Sequence, residues 1–228
     1  MREMENGIER KWSVEEFYGL IRHHLVGKEG PVELIEGRIV PLPSSEQQAR
    51  QVERLSQQIQ QNLEQAGWQG YEVRSHHPIK INTHSELRPT LTICSTHQPQ
   101  QNIHWVIEID KAEFADNNRY QDLRSHLYAR QGITEYWALS TRQVELRTYH
   151  TPKQGDTSTS CHQLTQAPIT QSTYKRERLL HVGEQVQSVS FPTLTMQIQE
   201  PLPLYFLTRS ATGHHTYIET ALPLKVLR

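Results

Sequence analysis

Glu108 and Asp110 are the residues of this chain whose types and spacing suggest chemistry most directly. They follow a short apolar run, Trp105-Val106-Ile107, that has the composition of a buried strand. Because side chains alternate along a strand, both carboxylates lie on one face. A hard divalent cation needs close anionic oxygens, so the pair predicts a metal site. The simpler alternative is a pair of acids that only solvates a strand end, and the spacing alone favours it.

A helix and a second strand are expected directly after these acids. The helical pattern is carried by Leu123, Leu127 and Tyr128 and is closed by Gly132. Ile133 to Leu139 then has the aromatic composition of a strand. A buried strand that ends on a carboxylate, followed by a helix and a return strand, is a common way to build a catalytic edge in an α/β protein.

The part of the chain before Glu108 supplies the elements that must position it. A hairpin is predicted around Glu36-Gly37, because an acid-glycine pair suits a two-residue turn. Helices are predicted over Val14 to Leu25, after a capping box at Ser13 and Glu16, and over a long stretch that ends at Gly67. The apolar stripe of the long helix is Val52, Leu55, Ile59, Leu63 and Ala66. Further strands are predicted at Tyr71–Ser75, Pro78–Asn82 and Leu91–Ser95.

The last third of the chain carries weaker signals. Gln143 to Tyr149 is interpreted as an edge strand, and the Ser-, Thr-, Gln- and Pro-rich segment after it as a loop. Peripheral strands are predicted at Tyr174–Val182, Val186–Phe191 and Leu194–Ile198. From Pro201 onward the chain is expected to pack irregularly or against a partner.

Composition bounds the class of protein. The chain has 228 residues, 35% hydrophobic and 21% charged, which suits one domain with a trailing arm. We expect a helix over 1–30, a core over 31–150 and peripheral strands with a C-terminal arm over 151–228. No apolar run is long enough to span a membrane and no signal peptide is recognisable, so the protein is expected to be cytoplasmic. A net charge of −1 argues against strong nonspecific nucleic-acid binding.

Several reactive residue types are interpreted as structural. Cys94 and Cys161 are expected to be inert thiols in a reducing compartment. Three pairs of adjacent histidines lack an acid or cysteine cluster that would complete a zinc site. Trp105, Tyr136 and Trp137 could stack on bases, but their place in strand-like runs favours a role in the core.

Taken in order, these elements resemble the Uma-two family of restriction endonucleases in the PD-(D/E)xK nuclease superfamily. The most specific piece is the run LYARQGITEYW, and the Glu-Gly hairpin supports it. The resemblance covers roughly Val32 to Tyr149 and extends weakly to Ile198. It implies an α/β (α+β) fold with a central mixed sheet flanked by helices, with an N-terminal helix and an irregular C-terminal extension.

The resemblance also implies a Mg²⁺ or Mn²⁺ site that hydrolyses DNA. The metal-binding Asp of the family falls on Thr90, the Glu falls on Glu108, and a lysine that members often carry falls on Arg124. The metal ligands implied here are therefore Glu108, Asp110 and Thr90. Thr90 brings no negative charge, and Arg124 keeps a charge but cannot act as a base.

The hairpin acids of the family fall on Glu33 and Glu36. They join Glu108, Asp110 and Arg124 as candidate catalytic residues, and Glu86 is a further acid that could reach the site.

Two main hypotheses follow, beside a third and weaker one of unrelated small-molecule chemistry. The first is a metal-dependent deoxyribonuclease with a displaced set of acids. The second is a catalytically inactive family member that serves as a binding or assembly module. Implied partners are DNA and a second copy of the chain in a homodimer, for which the apolar segment Leu202 to Leu207 is a further indication.

Overall fold

The computed structural model describes residues 10–42, 46–109, 119–140, 143–153, 174–198, 205–209 and 215–217. Its helices are α1 (Val14–Arg22), α2 (Glu46–Gln65) and α3 (Arg119–Arg130). Its strands are β1 (Val32–Ile35), β2 (Arg38–Pro41), β3 (Tyr71–Ser75), β4 (Ile79–Asn82), β5 (Ser85–Leu87), β6 (Leu91–Ser95), β7 (Ile103–Ile109), β8 (Glu135–Ser140), β9 (Glu145–Pro152), β10 (Tyr174–Leu180), β11 (Gln185–Gln187), β12 (Leu194–Gln197), β13 (Tyr205–Arg209) and β14 (His215–Tyr217).

The chain divides into two compact units. The smaller comprises Met1–Ser45 and Pro78–Arg88, and the larger comprises Glu46–His77 and Pro89–Arg228. The smaller unit contains α1 and a sheet of strand order β2-β1-β5-β4. The larger contains α2, α3 and two sheets, of order β10-β9-β8-β7-β6-β3 and β11-β12-β13-β14.

Helix α1 begins at the predicted capping box. The Ser13 hydroxyl accepts a hydrogen bond from the Glu16 amide at 3.1 Å, and the Glu16 carboxylate accepts one from the Ser13 amide at 2.9 Å. Phe17 packs with Leu34 in the core of the smaller unit. The helix ends at Arg22, earlier than the predicted Leu25, because the chain turns away at His24, where φ is 55°.

The hairpin of the smaller unit confirms the prediction made from Glu36-Gly37. Ile35 pairs with Arg38, so only two residues form the turn, and their φ values are 49° and 82°. Two consecutive left-handed residues define the turn that best matches strand twist. A Cβ on Gly37 would lie 2.7 Å from the Lys11 Cβ, so the glycine is required for space as well as for its φ.

The larger unit is built on a mixed sheet. Strands β7 and β8 are parallel and connected through α3, and the other neighbours in this sheet are antiparallel. Side chains of α2 and of the segment 180–198 cover the face that carries Trp105, Ile107 and Trp137. The opposite face carries Glu108 and Tyr136 and is contacted by α3. The expected α/β (α+β) architecture, a central mixed sheet flanked by helices, is therefore confirmed.

Aromatic side chains organise both faces of this sheet. Trp105 and Trp137 meet edge to face at 4.5 Å on the α2 side. On the α3 side, neighbouring rings 5.0 to 6.0 Å apart form a tyrosine column. Its members are Tyr128, Tyr136, Tyr149 and Tyr174. The expectation that Trp105, Tyr136 and Trp137 belong to the core is confirmed, since each is at most 1% exposed.

One prediction for the later part of the chain is wrong, and one strand was missed. Strand β9 is not an edge strand, because β10 pairs with it on the outer side. Apolar residues of β11 and β12 join the main core. The segment from Pro201 onward includes β13 and β14, which pair in register with β12 and with each other. Strand β5 was missed because its three residues, Ser85 to Leu87, show little alternation.

In the part of the chain that the structure describes, no helix is long and apolar enough to cross a membrane.

Candidate active site around Glu108

Glu108 lies near the end of β7, in the middle of the mixed sheet. Its neighbour on the parallel strand β8 is Ala138, and only 1% of the residue is exposed. A carboxylate at this depth costs several kcal/mol in lost hydration unless charged or polar groups compensate it. The residues that compensate it therefore decide what the carboxylate can do.

Two side chains of α3 converge on one oxygen of Glu108. Arg124 Nη1 donates to Oε1 at 2.7 Å, and the Tyr128 hydroxyl donates to the same atom at 2.5 Å. Both donors are buried. They lie four residues apart on the helix, so they project from the same side of α3. The result is a buried group of three side chains that ties α3 to β7.

Thr90 stands beside Glu108 across the β6–β7 ladder. Leu91 pairs with Ile107 in antiparallel register, and one further step along that register places Thr90 opposite Glu108. Side chains in such positions have Cβ atoms about 5 Å apart on the same face. The Thr90 hydroxyl oxygen accepts a hydrogen bond from the Ile109 amide at 3.1 Å. The position at which the sequence resemblance predicts an Asp is thus occupied by a neutral group that is hydrogen-bonded to the backbone.

The charge of Glu108 is balanced within the protein. The Arg124 guanidinium supplies the positive charge, because arginine is effectively always charged in proteins. Burial raises the pKa of Tyr128 well above its usual value, and the neighbouring Glu108 carboxylate raises it further. The Tyr128 hydroxyl therefore keeps its proton and stays a hydrogen-bond donor to Glu108.

The described residues do not fit the two-carboxylate metal centre that the resemblance implies. Thr90 offers no charge, and Arg124 places a cation against Glu108 Oε1, where a metal would have to compete with it. Across the described ranges, no group of three or more His, Cys, Asp or Glu side chains is arranged to hold a metal ion. Asp110, the predicted partner of Glu108, lies outside the described residues.

The two hairpin acids have their own partners in the smaller unit. Glu33 is buried on β1, and its Oε2 accepts a hydrogen bond from the Arg88 amide at 3.0 Å. Glu36 occupies the hairpin turn, where its amide donates to the Ser85 hydroxyl at 3.0 Å. Their predicted participation in a site with Glu108 stays a prediction.

Glu86, the further acid considered, also belongs to the smaller unit. Its carboxylate accepts a hydrogen bond from the Tyr18 hydroxyl at 2.5 Å. Burial raises the pKa of Tyr18 to about 12, and its bond to Glu86 adds to this effect. Glu86 is therefore engaged by a protonated donor within its own unit.

Cys94, expected to be inert, is buried on β6. Burial raises the pKa of its thiol to about 11, which keeps it protonated and unreactive near neutral pH. Cys161 lies outside the described residues.

Sequence reasoning did not identify Tyr128 and Glu135 as polar anchors. Tyr128 was interpreted only as part of an apolar stripe, although its spacing of four residues from Arg124 was a usable signal. Glu135 is buried and accepts hydrogen bonds from the Trp137 indole, the Ser188 hydroxyl and the amides of Val189 and Ser190. No local pattern indicates the contacts with Ser188, Val189 and Ser190, because these residues lie more than fifty positions from Glu135.

Comparison with known proteins gives one family and one fold. The Uma2 family model, described as "Putative restriction endonuclease", matches residues 14–197. A solved structure described as "a putative nuclease belonging to DUF820", from Anabaena variabilis, matches with a TM-score of 0.55 and 12% sequence identity. The match covers 79% of this chain and 90% of that one, and at this identity it shows a shared fold. No curated protein matches the chain.

Proposed function

Because the chain belongs to the Uma2 family of restriction-endonuclease-like proteins, we propose that it is a nuclease-fold protein whose metal-dependent DNA hydrolysis is impaired. In this proposal the protein acts as a binding or assembly module. One observation carries it: the buried contact of 2.7 Å between Arg124 Nη1 and Glu108 Oε1.

The chemistry of that contact explains the impairment. A divalent metal in a nuclease neutralises phosphate charge and activates water, and it needs anionic ligands to stay bound. Here the guanidinium already neutralises Glu108, and Thr90 lacks the second negative charge. Arg124 also cannot serve as a base, because a guanidinium is effectively always charged in proteins. Each of the three positions that the family pattern uses is therefore either occupied or chemically unsuited.

A working Mg²⁺- or Mn²⁺-dependent deoxyribonuclease is the alternative function. The family match favours it, since the model covers residues 14–197. It requires a displaced set of acids, with Asp110 beside Glu108 and a contribution from Glu33 or Glu36. It also requires the Arg124 guanidinium to leave Glu108, which would uncover a buried charge.

A plasmid-nicking assay separates the two functions. Wild-type protein is incubated with supercoiled DNA and millimolar Mg²⁺ or Mn²⁺, beside a Glu108→Gln variant purified in the same way. We expect both proteins to leave the plasmid intact. Nicking by the wild type that is lost in Glu108→Gln would overturn the proposal.

A restoring variant provides the positive control. Thr90→Asp combined with Arg124→Lys rebuilds the two positions at which this chain departs from the family pattern. We expect Mn²⁺ to raise the melting temperature of this double variant and to leave that of the wild type unchanged. The readout is thermal unfolding, so it does not depend on whether the rebuilt site cuts DNA.

Homodimer formation, DNA binding and a cytoplasmic location stay predictions. Light scattering after size-exclusion chromatography measures the first directly. The apolar segment invoked for self-association begins outside the described residues, so its packing gives no further support.

A further inference from the structure

The ribbon formed by β9 and β10 concentrates positive charge on a chain whose net charge is −1. Between residues 145 and 153 and between 174 and 180 the sequence has five cationic side chains and two carboxylates. The cations are Arg147, Lys153, Lys175, Arg176 and Arg178. The remainder of the chain therefore has an acidic balance, and the basic excess belongs to this ribbon.

The register of the ribbon sorts these charges by face. Arg176 pairs with His150 and Arg178 with Thr148, so the two arginines point to one side of the sheet. Glu177 pairs with Tyr149 and points to the opposite side, where Arg147 lies 3.4 Å from it. The acid of β10 is thus separated from the two arginines by the sheet itself.

The cations of β10 are exposed and unneutralised. Lys175, Arg176 and Arg178 are all exposed, and among the described residues no carboxylate lies within salt-bridge distance of any of them. Glu135, opposite His150, is the nearest acid by register on the face of the two arginines. It is buried and already accepts four hydrogen bonds.

The position of β10 makes these charges available to a large ligand. Within the described part of the chain it is one of the two edge strands of the six-stranded sheet, the other being β3. Residues two apart on a strand are separated by about 6.6 Å, so the two guanidiniums form a short row and not a single point charge. Guanidinium groups bind phosphate oxygens through paired hydrogen bonds, which a row of them can repeat along a polyanion.

We propose that the face of β10 that carries Arg176 and Arg178 contacts the phosphate backbone of DNA. This surface is distinct from the group around Glu108 and would bind DNA without cutting it. The inference rests on the proposed function, because the family match is what favours DNA over another polyanion. An anionic membrane is disfavoured, since Leu179, the exposed apolar residue of β10, points away from the two arginines.

Fluorescence anisotropy of a labelled DNA duplex tests this surface. Binding is measured in EDTA at several salt concentrations between about 50 and 200 mM, the range over which phosphate contacts weaken strongly. The test variant is Arg176→Gln with Arg178→Gln, and the matched control is Arg54→Gln, an exposed arginine on α2. Circular dichroism confirms that each variant is folded.

Removal of two phosphate contacts should weaken binding on the order of tenfold and lower the slope of log K against log salt by about 2. Arg54→Gln should match the wild type. Equal affinity of the double variant and the wild type would overturn the proposal. Binding of the wild type to phosphatidylserine vesicles or polyglutamate, without binding to DNA, would also overturn it.

The EDTA condition separates this inference from the proposed function. EDTA removes Mg²⁺ and Mn²⁺, so DNA binding is measured under conditions in which metal-dependent cutting cannot occur. The wild type could nick plasmid with Mg²⁺ while the β10 double variant binds DNA more weakly than the wild type. In that case the proposed function fails and this surface stands. If the wild type neither nicks nor binds DNA, this surface fails by itself.

Discussion

At the scale of single residues, the neighbours of Glu108 differ from those that the sequence resemblance predicts. Glu108 is the carboxylate that the sequence resemblance predicts as a metal ligand, and in the structure it accepts hydrogen bonds from Arg124 and Tyr128. Thr90 removes a neighbouring charge, so a single guanidinium is enough to balance what is left. The group of three side chains then stabilises the contact between α3 and β7.

Loss of Arg124 should destabilise the protein strongly. An Arg124→Met change leaves the Glu108 carboxylate buried without its cation, and such changes typically cost about 3–5 kcal/mol. Urea unfolding at neutral pH measures this cost. The control is Arg50→Ala, which breaks an exposed pair with Glu46 and should cost at most about 1 kcal/mol. Equal, small effects of the two changes would show that the buried contact has no energetic importance.

At the scale of elements, the turn and the sheet are held by different means. The hairpin between β1 and β2 depends on backbone conformation, because its two turn residues both have positive φ. The mixed sheet depends on side chains that cross from strand to strand. The tyrosine column joins α3 to β8, β9 and β10, and Glu135 joins β8 to the segment before β12.

Opposite effects are expected for a glycine-to-alanine change in the hairpin turn and for one within α1. Gly37→Ala should destabilise the protein by at least about 1–2 kcal/mol, since a left-handed residue gains a Cβ and that Cβ meets Lys11. Gly19→Ala lies within α1, where an added Cβ meets nothing within 4 Å. It should stabilise the protein by about 0.5–1 kcal/mol, because alanine is the better helix former. Thermal unfolding of both variants checks the difference in sign.

The tyrosine column predicts a loss of stability at high pH. Burial raises the pKa of Tyr128, Tyr136, Tyr149 and Tyr174 above the usual value near 10. A raised pKa in the folded state means that unfolding is favoured once the unfolded hydroxyls ionise, so stability is retained below pH ~10 and falls above it.

Near-ultraviolet absorbance of phenolate, followed together with circular dichroism, tests this behaviour. The four hydroxyls should ionise only as the sheet unfolds. Full ionisation of all nine tyrosines while the circular dichroism is unchanged would contradict it.

At the scale of the whole molecule, local patterns predicted most elements but not their neighbours. Spacing was sufficient for α1, α2, α3 and the hairpin, because capping, helical periodicity and turn chemistry act over a few residues. It was insufficient for β9 and for the strands after β10, whose pairing depends on residues far apart in the chain. Thr90, Glu108 and Arg124 could be named from the sequence. That Arg124 and Tyr128 both donate hydrogen bonds to one oxygen of Glu108 could not, because this contact depends on how α3 packs against the sheet.

We infer that the Arg124 guanidinium supplies at Glu108 the positive charge that a metal ion would otherwise supply. Titration of Mn²⁺ into the wild-type protein, followed by calorimetry, tests it most directly, with Thr90→Asp/Arg124→Lys measured in parallel. We expect no saturable binding to the wild type and the appearance of one site in the double variant. Stoichiometric Mn²⁺ binding to the wild type that disappears in Glu108→Gln would contradict it.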